Sequence, residues 1–411
     1  MAADSKVEYR AIPFALAVLL ALLAMLGPFS IDTFFPSFRA MAQEFHVSAF
    51  TLQQTLTAYM LPFAAMTLVY GPLTDALGRR RVILVSLSCY VVASLAAALA
   101  PTFATLLIFR AAQGATAGAG MMVGRAVVRD LYDGPEAQRL MSVITMIFSV
   151  APAIAPIIGG WIHVFAGWRA VFAFVALFGI ALLAAVWWQL PETHPRERRI
   201  PLAVSSLSAS VWRVARHREF MLLNAASALH FISAFFYIGA APAIVLDVWH
   251  KSETQFAYLF MPVIFGFLLG AALSGRMAGR WPPRYQSQLG LVVTITSSVL
   301  QLGALMALDH VPMAFQQFCM FAAALGVQLS GPAFSLRMLD LFPAARGSAA
   351  SVQACVSMGL AAISVGVIAP ACDGSMPLLT SASLVAALSA SLLWRLSRSA
   401  LRVSSLANAK R

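Results

Sequence analysis

The chain has 411 residues, of which 60% are apolar and only 11% charged, and its mean hydropathy is +0.81. That composition excludes an ordinary soluble globular protein. A net charge of +12 would point to nucleic acid in a soluble chain, so the placement of the 28 Lys and Arg residues decides its meaning.

Apolar runs of roughly 20 residues, the length a helix needs to cross a bilayer, predict twelve spans. They fall near 12–36, 50–71, 82–100, 103–127, 140–163, 168–190, 219–246, 256–275, 288–307, 312–336, 347–371 and 376–395. With the N-terminus inside, 24 basic residues lie on inside segments, among them Lys6, Arg10, Lys410 and Arg411. Arg39, Arg169 and Lys251 lie outside, and Arg110 falls within a span. This asymmetry predicts that both termini are cytoplasmic, and it makes nucleic acid an unnecessary partner. The first apolar run is long enough to span and reads as a retained helix, not a cleaved signal.

Taken in order, span 1 carries Asp32, roughly 9 Å from the outer surface if the helix continues to Phe38. Between spans 2 and 3 lies Gly71-Pro72-Leu73-Thr74-Asp75-Ala76-Leu77-Gly78-Arg79-Arg80-Arg81. This stretch reads as a tight loop, because proline interrupts a helix and three consecutive arginines are costly in hydrocarbon. Span 4 holds Arg110, roughly 10 Å deep, and two small-residue pairs one turn apart, Gly114/Gly118 and Gly120/Gly124, which permit close helix contact. Span 5 holds Pro152, Pro156 and Gly159-Gly160, features that bend a helix and bring a neighbour close. Residues 191–218 form a basic, partly amphipathic linker suited to anionic headgroups. It divides the chain into 1–190 and 219–411, two groups of six spans. A shift of 201 residues sets Gly279-Arg280 on Gly78-Arg79, and a shift of 210 sets Asp340-Leu341-Phe342 on Asp130-Leu131-Tyr132, as in a parallel duplication. Cys89, Cys319, Cys355 and Cys372 have no metal spacing and read as packing residues. No catalytic or metal-binding cluster is expected.

The joint order of Ser30-Ile31-Asp32-Thr33-Phe34-Phe35-Pro36, the 71–81 stretch, Arg110-Ala111-Ala112-Gln113-Gly114, Val128-Arg129-Asp130-Leu131-Tyr132, Ala155-Pro156-Ile157-Ile158-Gly159-Gly160 and Pro191-Glu192-Thr193 resembles the major facilitator superfamily. Within it, the chain is similar to drug:proton antiporters of the bicyclomycin/chloramphenicol-resistance branch. The resemblance implies an all-α membrane protein of twelve helices in two six-helix bundles, with spans 1, 4, 7 and 10 lining a central cavity. It also implies a latch of Gly71, Asp75, Gly78, Arg79, Arg80 and Asp130, in which Asp75 caps span 11 near Arg346-Gly347-Ser348 and Arg79 pairs with Asp130. An antiporter motif in span 5 is implied at Ala151, Ala155, Pro156, Gly159 and Gly160. The chain departs from the family pattern in two respects: Ala151 and Ala155 stand where glycines are usual, and Ala24 stands where some relatives carry an acid.

Intramembrane charges are functional by default, so Asp32 and Arg110 are the expected proton-coupling pair, joined directly or through water. A change in their separation would move the proton affinity of the carboxyl; the bland alternative is a structural ion pair. Candidate pocket residues are Phe29, Phe34, Gln54, Tyr59, Gln113, His230, Phe236, Tyr237, Gln317 and Gln328. Gln317 and Gln328 are eleven positions apart and share a helix face. The expected function is proton-coupled efflux of a small amphiphilic drug across the bacterial inner membrane by alternating access. The expected protein is a monomer without cofactors other than protons, and its partners are a small molecule and membrane lipid. The rival readings are an exporter of an endogenous metabolite and, from another class, a membrane enzyme or channel.

Overall fold

The computed structural model describes residues 14–132, 134–199, 204–372 and 374–408. Lys6, Arg10, Lys410, Arg411 and the start of span 1 lie outside them. The described residues contain helices and no strands.

Among the described residues, eleven helices are long and apolar enough to cross a membrane. One of these crossings is double: the 56-residue helix Gly134–Gln189 contains spans 5 and 6, which meet at Gly167. The φ of 77° there is open to a residue without a Cβ, so the chain turns with no separate loop. The other spans are Phe14–Asp32 (span 1), Ala49–Leu77 (2), Arg79–Ala98 (3), Phe103–Leu131 (4), Arg218–Gly239 (7), Ala257–Met277 (8), Pro283–Ala307 (9), Met313–Asp340 (10), Arg346–Ile363 (11) and Met376–Asn408 (12). A linker helix covers Val204–Ala215.

Three elements differ from the sequence reading. The stretch 71–81 is not an extended loop: span 2 runs helically through Gly71 and Pro72 to Leu77, and only Gly78 leaves the helix, at φ 96°. Proline's fixed φ is itself helical, so Pro72 costs one backbone hydrogen bond without ending the span. Gly279, the proposed repeat of Gly78, also has positive φ, at 75°. Span 1 breaks at Asp32 and continues through the short helices Phe35–Ser37 and Phe38–Glu44. Pro36 supplies the reason, since it lacks the N–H that would have closed on the Asp32 carbonyl. Spans 7 and 11 each pass into a π-helical segment, Ala243–Val248 and Ser364–Ile368, beside Pro242 and Pro370.

Packing follows the small residues. In the first group, span 2 lies against span 4, span 1 against spans 4 and 5, and span 3 against spans 4 and 6; in the second, span 8 lies against span 10, span 9 against spans 10 and 12, and span 7 against span 12. A Cβ at Gly114 would strike the Tyr59 carbonyl, and one at Gly270 would strike that of Leu325. The span 2–4 contact and its counterpart 8–10 are thus both built on glycine, where van der Waals contact replaces the absent hydrophobic drive. Spans 2 and 11, and spans 5 and 8, connect the two groups.

Candidate functional site

The molecule has two ends. One, here the basic end, carries Gly78, Gly279 and the linker helix; the opposite end carries the 45–48 and 249–256 turns. Between them, the buried polar side chains include a single acid, Asp32, at 4% exposure, and the fully buried Arg110. The direct Asp32–Arg110 ion pair expected from the sequence is not formed. Arg110 instead donates from Nη1 to the Ser30 carbonyl (3.3 Å) and Gln113 Oε1 (3.0 Å), and from Nε to the Thr55 carbonyl (3.3 Å). Its guanidinium lies 4.4 Å from the Phe34 ring and 4.5 Å from that of Tyr59, an arrangement in which ring quadrupoles offset a desolvated cation. The guanidinium's hydrogen bond to span 1 goes to the Ser30 backbone carbonyl and not to the Asp32 carboxyl. Asp32 lies one turn beyond Phe29, whose ring packs against Ala151, Ala155 and Phe178 of spans 5 and 6. Nη2 of Arg110 is buried without a hydrogen-bond partner, which is an unfilled donor in the same layer as the acid.

This layer is wider than the sequence suggested. Ser30 Oγ bonds the Tyr90 hydroxyl, Gln113 Nε2 donates to Ser94 Oγ (2.7 Å), and Tyr59 OH donates to the Gly27 carbonyl (3.1 Å). Tyr90 and Ser94 were not singled out from the sequence. The usable signal was a pair of polar residues four apart in span 3, matched by Arg110 and Gln113 three apart in span 4, each pair sharing a face.

Next to this layer the two groups of spans are held together. Gln53 Nε2 donates to the Gly239 carbonyl and Gln54 Nε2 to the Gly366 carbonyl, both at 2.6 Å. Gly366 is four residues before Pro370, so the second glutamine fills a carbonyl that proline's missing N–H leaves open. A Cβ on Gly366 would overlap Thr57. Arg39 pairs with Asp247 above, with both side chains half-exposed. Ala151 and Ala155 are fully buried against span 1, Gly159 lies on the Thr33 carbonyl and Gly160 on that of Glu253. The alanines therefore keep the close contact that glycines would make, and the span 5 motif seals span 1 on one side and the 249–256 turn on the other. Gln54, expected in the pocket, instead ties span 2 to the Gly366 carbonyl, and Gln53 beside it was missed.

A cavity of about 280 Å³ lies toward the basic end, roughly 15 Å further along span 2. The first six spans contribute Phe63, Thr67, Met121 and Met122; the last six contribute polar groups, among them Ser227, His230, Gln328 and Gln353, set among apolar ones such as Phe231, Phe334 and Met358. His230 is held between Thr294 Oγ1 and Ser330 Oγ, at 2.9 Å each. Of the ten residues named from the sequence, the cavity brings together His230 and Gln328. Phe29, Phe34, Tyr59 and Gln113 belong to the Asp32–Arg110 layer. Phe236 is core, and Tyr237 donates to Gln301 Oε1 (3.0 Å) inside the second group. Gln317 does share a face with Gln328 toward span 8, but it lies nearer the opposite end and donates to the Tyr258 carbonyl (2.8 Å). Two larger clefts, of about 560 and 580 Å³, share Gln53, Pro242 and Asp247. They lie at the opposite end beside Gln53, whereas the smaller cavity lies between the two groups of spans and is the candidate solute site.

At the basic end Arg79 Nε bonds Asp130 (3.1 Å), as expected, and Arg79 Nη1 bonds Asp75 (2.5 Å). Asp130 also accepts from Thr193 Oγ1 (3.0 Å), and Glu192 caps span 3 at the Arg79 N–H (2.8 Å). The expected contact of Asp75 with the start of span 11 is not made. Asp75 is turned to Arg79 one helical turn on, while Ser348 is bonded to Ser210 of the linker helix (2.9 Å). Gly71 is exposed within span 2 and touches no partner there. Arg80 bonds the Trp187 carbonyl (2.7 Å) outside the latch.

The model of the Major Facilitator Superfamily matches residues 20–367. The chain belongs to that superfamily. It is 30% identical over 302 residues to a protein named bicyclomycin resistance protein homolog of Haemophilus influenzae, covering 73% of this chain and 76% of the relative. It is 31% identical over 287 residues to a chloramphenicol resistance protein of Pseudomonas aeruginosa, covering 70% and 67%. These relatives agree with the branch that the motifs implied. The fold also matches a D-xylose-proton symporter, with a TM-score of 0.68 at 13% identity over 92% of this chain and 97% of the other. This superfamily member is a multi-pass membrane transporter and not an enzyme.

Proposed function

We infer that the protein exports small amphiphilic drugs, of the chloramphenicol, bicyclomycin or sulfonamide kind, across the inner membrane in exchange for protons. The basic end is cytoplasmic in this reading, consistent with the placement of Lys and Arg. The observation that carries it is the continuity of one stretch of span 2: Gln53 and Gln54 hold the gate, and the next residue, Thr55, offers its carbonyl to Arg110. Asp32 is the proton-carrying group. Its deprotonation leaves a buried negative charge within one helical turn of the Ser30 carbonyl that holds Arg110, whose Nη2 is unfilled; a guanidinium drawn toward Asp32 would strain its hold on Thr55 and, through it, the paired glutamines. Protonation restores the closed gate. One proton crossing roughly 150 mV supplies about 3.5 kcal/mol, enough for a solute gradient of a few hundredfold.

The cavity supports the substrate class. Its volume of about 280 Å³ is at the lower edge of the roughly 300–1,000 Å³ typical of ligand pockets, which suits one small drug and not a large dye. No Asp, Glu, Lys or Arg lines it, so a neutral or weakly charged solute avoids uncompensated desolvation. The protein works as a monomer, with no cofactor besides the coupling proton. The test is drug accumulation in an efflux-deficient host, with and without a protonophore. Export should cease on uncoupling; export that persists would contradict the antiport reading.

A further inference from the structure

At the basic end, away from the central cavity, span 3 and the 191–199 segment leave a cleft of about 390 Å³ lined by Arg80, Arg81, Leu84, Val85, Glu192 and Arg199. We propose that it binds the headgroup of an anionic phospholipid, with the acyl chains lying along span 3. The charge balance comes first. Glu192 is the only acid among these residues, and it is already engaged by the Arg79 and His194 backbone N–H groups, with Arg199 3.7 Å away. Arg80 is held by a carbonyl, that of Trp187, which leaves its charge uncompensated. Arg81 is exposed and has no hydrogen bond or ion pair among the described residues. Arg199 is three-quarters buried, yet its Nε is without a partner. Three arginines thus line one cleft with donors to spare, and the guanidinium fork is suited to phosphate.

The setting selects lipid over a soluble anion. Arg81 begins a stripe, Arg81, Val85, Ser88 and Val92, at helical spacing; Val85 and Val92 are 57% and 67% exposed. Span 6 ends beside it in Trp187 and Trp188, exposed at 61% and 80%, the residue type that settles at headgroup level. The Arg80 guanidinium lies 5.3 Å from the Trp187 ring. A phosphate in the cleft would therefore have an apolar track directly below it, as a phospholipid requires and a free anion does not. Because Glu192 also caps Arg79, the bound lipid would fasten the 191–199 segment to the start of span 3.

The experiment needs no transport assay, so it stands apart from the antiport reading. The full chain, purified in detergent, is titrated with phosphatidylglycerol or phosphatidylcholine, and bound lipid is counted by native mass spectrometry. Phosphatidylglycerol should be retained in preference to phosphatidylcholine. Arg81→Gln should weaken it about fivefold and Arg80→Gln/Arg81→Gln roughly twenty-fivefold, on about 1 kcal/mol per surface arginine. Arg284→Gln, which removes an exposed arginine elsewhere at the same end, should leave binding unchanged. Lipid-free melting temperatures identify any variant that is merely misfolded, in which case Arg199→Gln replaces it. Equal retention of the two lipids, equal loss in Arg284→Gln, or displacement by inorganic phosphate at the concentration of the lipid would each overturn the site.

Discussion

The two ends of the molecule are tied in different ways. At the basic end, Arg79, Asp75 and Asp130 of the first six spans bind one another and Thr193 and Glu192 of the linker. The ties across the groups there are a long bond from Thr67 Oγ1 to the Ser351 carbonyl (3.4 Å) and one that runs through the linker, Ser210 to Ser348. At the opposite end the ties run between the two groups: two side-chain amides on backbone carbonyls, one half-exposed ion pair and a glycine seam. A tie within a group gives rigidity, and a tie across groups sets which end is open. Net hydrogen bonds are worth only about 1 kcal/mol each, so the opposite end can release at modest cost while the basic-end clamp remains whole.

The largest effect should come from the residue that joins the acid layer to the gate. Arg110→Ala should reduce export more than a hundredfold, because it empties a fully buried site and frees Thr55, Ser30 and Gln113 together. Arg110→Lys should recover part of this, since it keeps the charge but not the planar fork. Full activity in Arg110→Lys, measured as drug accumulation at matched expression, would reduce the position to a countercharge.

Next comes the gate. Replacing Gln53 and Gln54 together with Ala removes about 2 kcal/mol of cross-group hydrogen bonding, which shifts the ratio of closed to open opposite end by about thirtyfold. Spin labels at Phe50 and Lys251, on either side of the mouth, should report a longer distance in the double variant. An unchanged distance distribution would mean that the glycine seam alone holds the end shut.

Smaller effects test the clamp and the rim. Asp75→Asn should slow turnover by up to about fivefold with normal expression, because the Asp75 side chain is 46% exposed and its pair with Arg79 is correspondingly screened. Arg39→Ala should change transport about twofold, and the change should vanish at high salt, since both members of that pair are half-exposed. If Arg39→Ala exceeded the glutamine variant in effect, the ordering of the two ties would be reversed.

Much of this architecture was legible in the sequence. Span count follows from hydropathy, the Arg79–Asp130 pair from the motif order, and the tight fit of span 5 from small residues at fixed spacing. What was not legible depends on where helices break. Pro36 ends span 1 at Asp32, while Pro370 opens the carbonyl that Gln54 takes. Neither follows from residue type, because Pro72, equally a proline, leaves its helix intact. The cavity was read partly: His230 and Gln328 line it, but aromatic residues such as Phe34 and Tyr59 are used to cradle Arg110 instead. An aromatic in a span packs equally well against substrate, helix or guanidinium, and only the fold chooses.

The central claim, that Asp32 alone carries the coupled proton, is tested most directly in proteoliposomes by measuring drug-driven proton movement for the wild type and Asp32→Asn. The account predicts one proton per neutral drug molecule in the wild type and no drug-coupled proton movement in Asp32→Asn. Retained coupling in the variant, or two protons per neutral drug in the wild type, would contradict it.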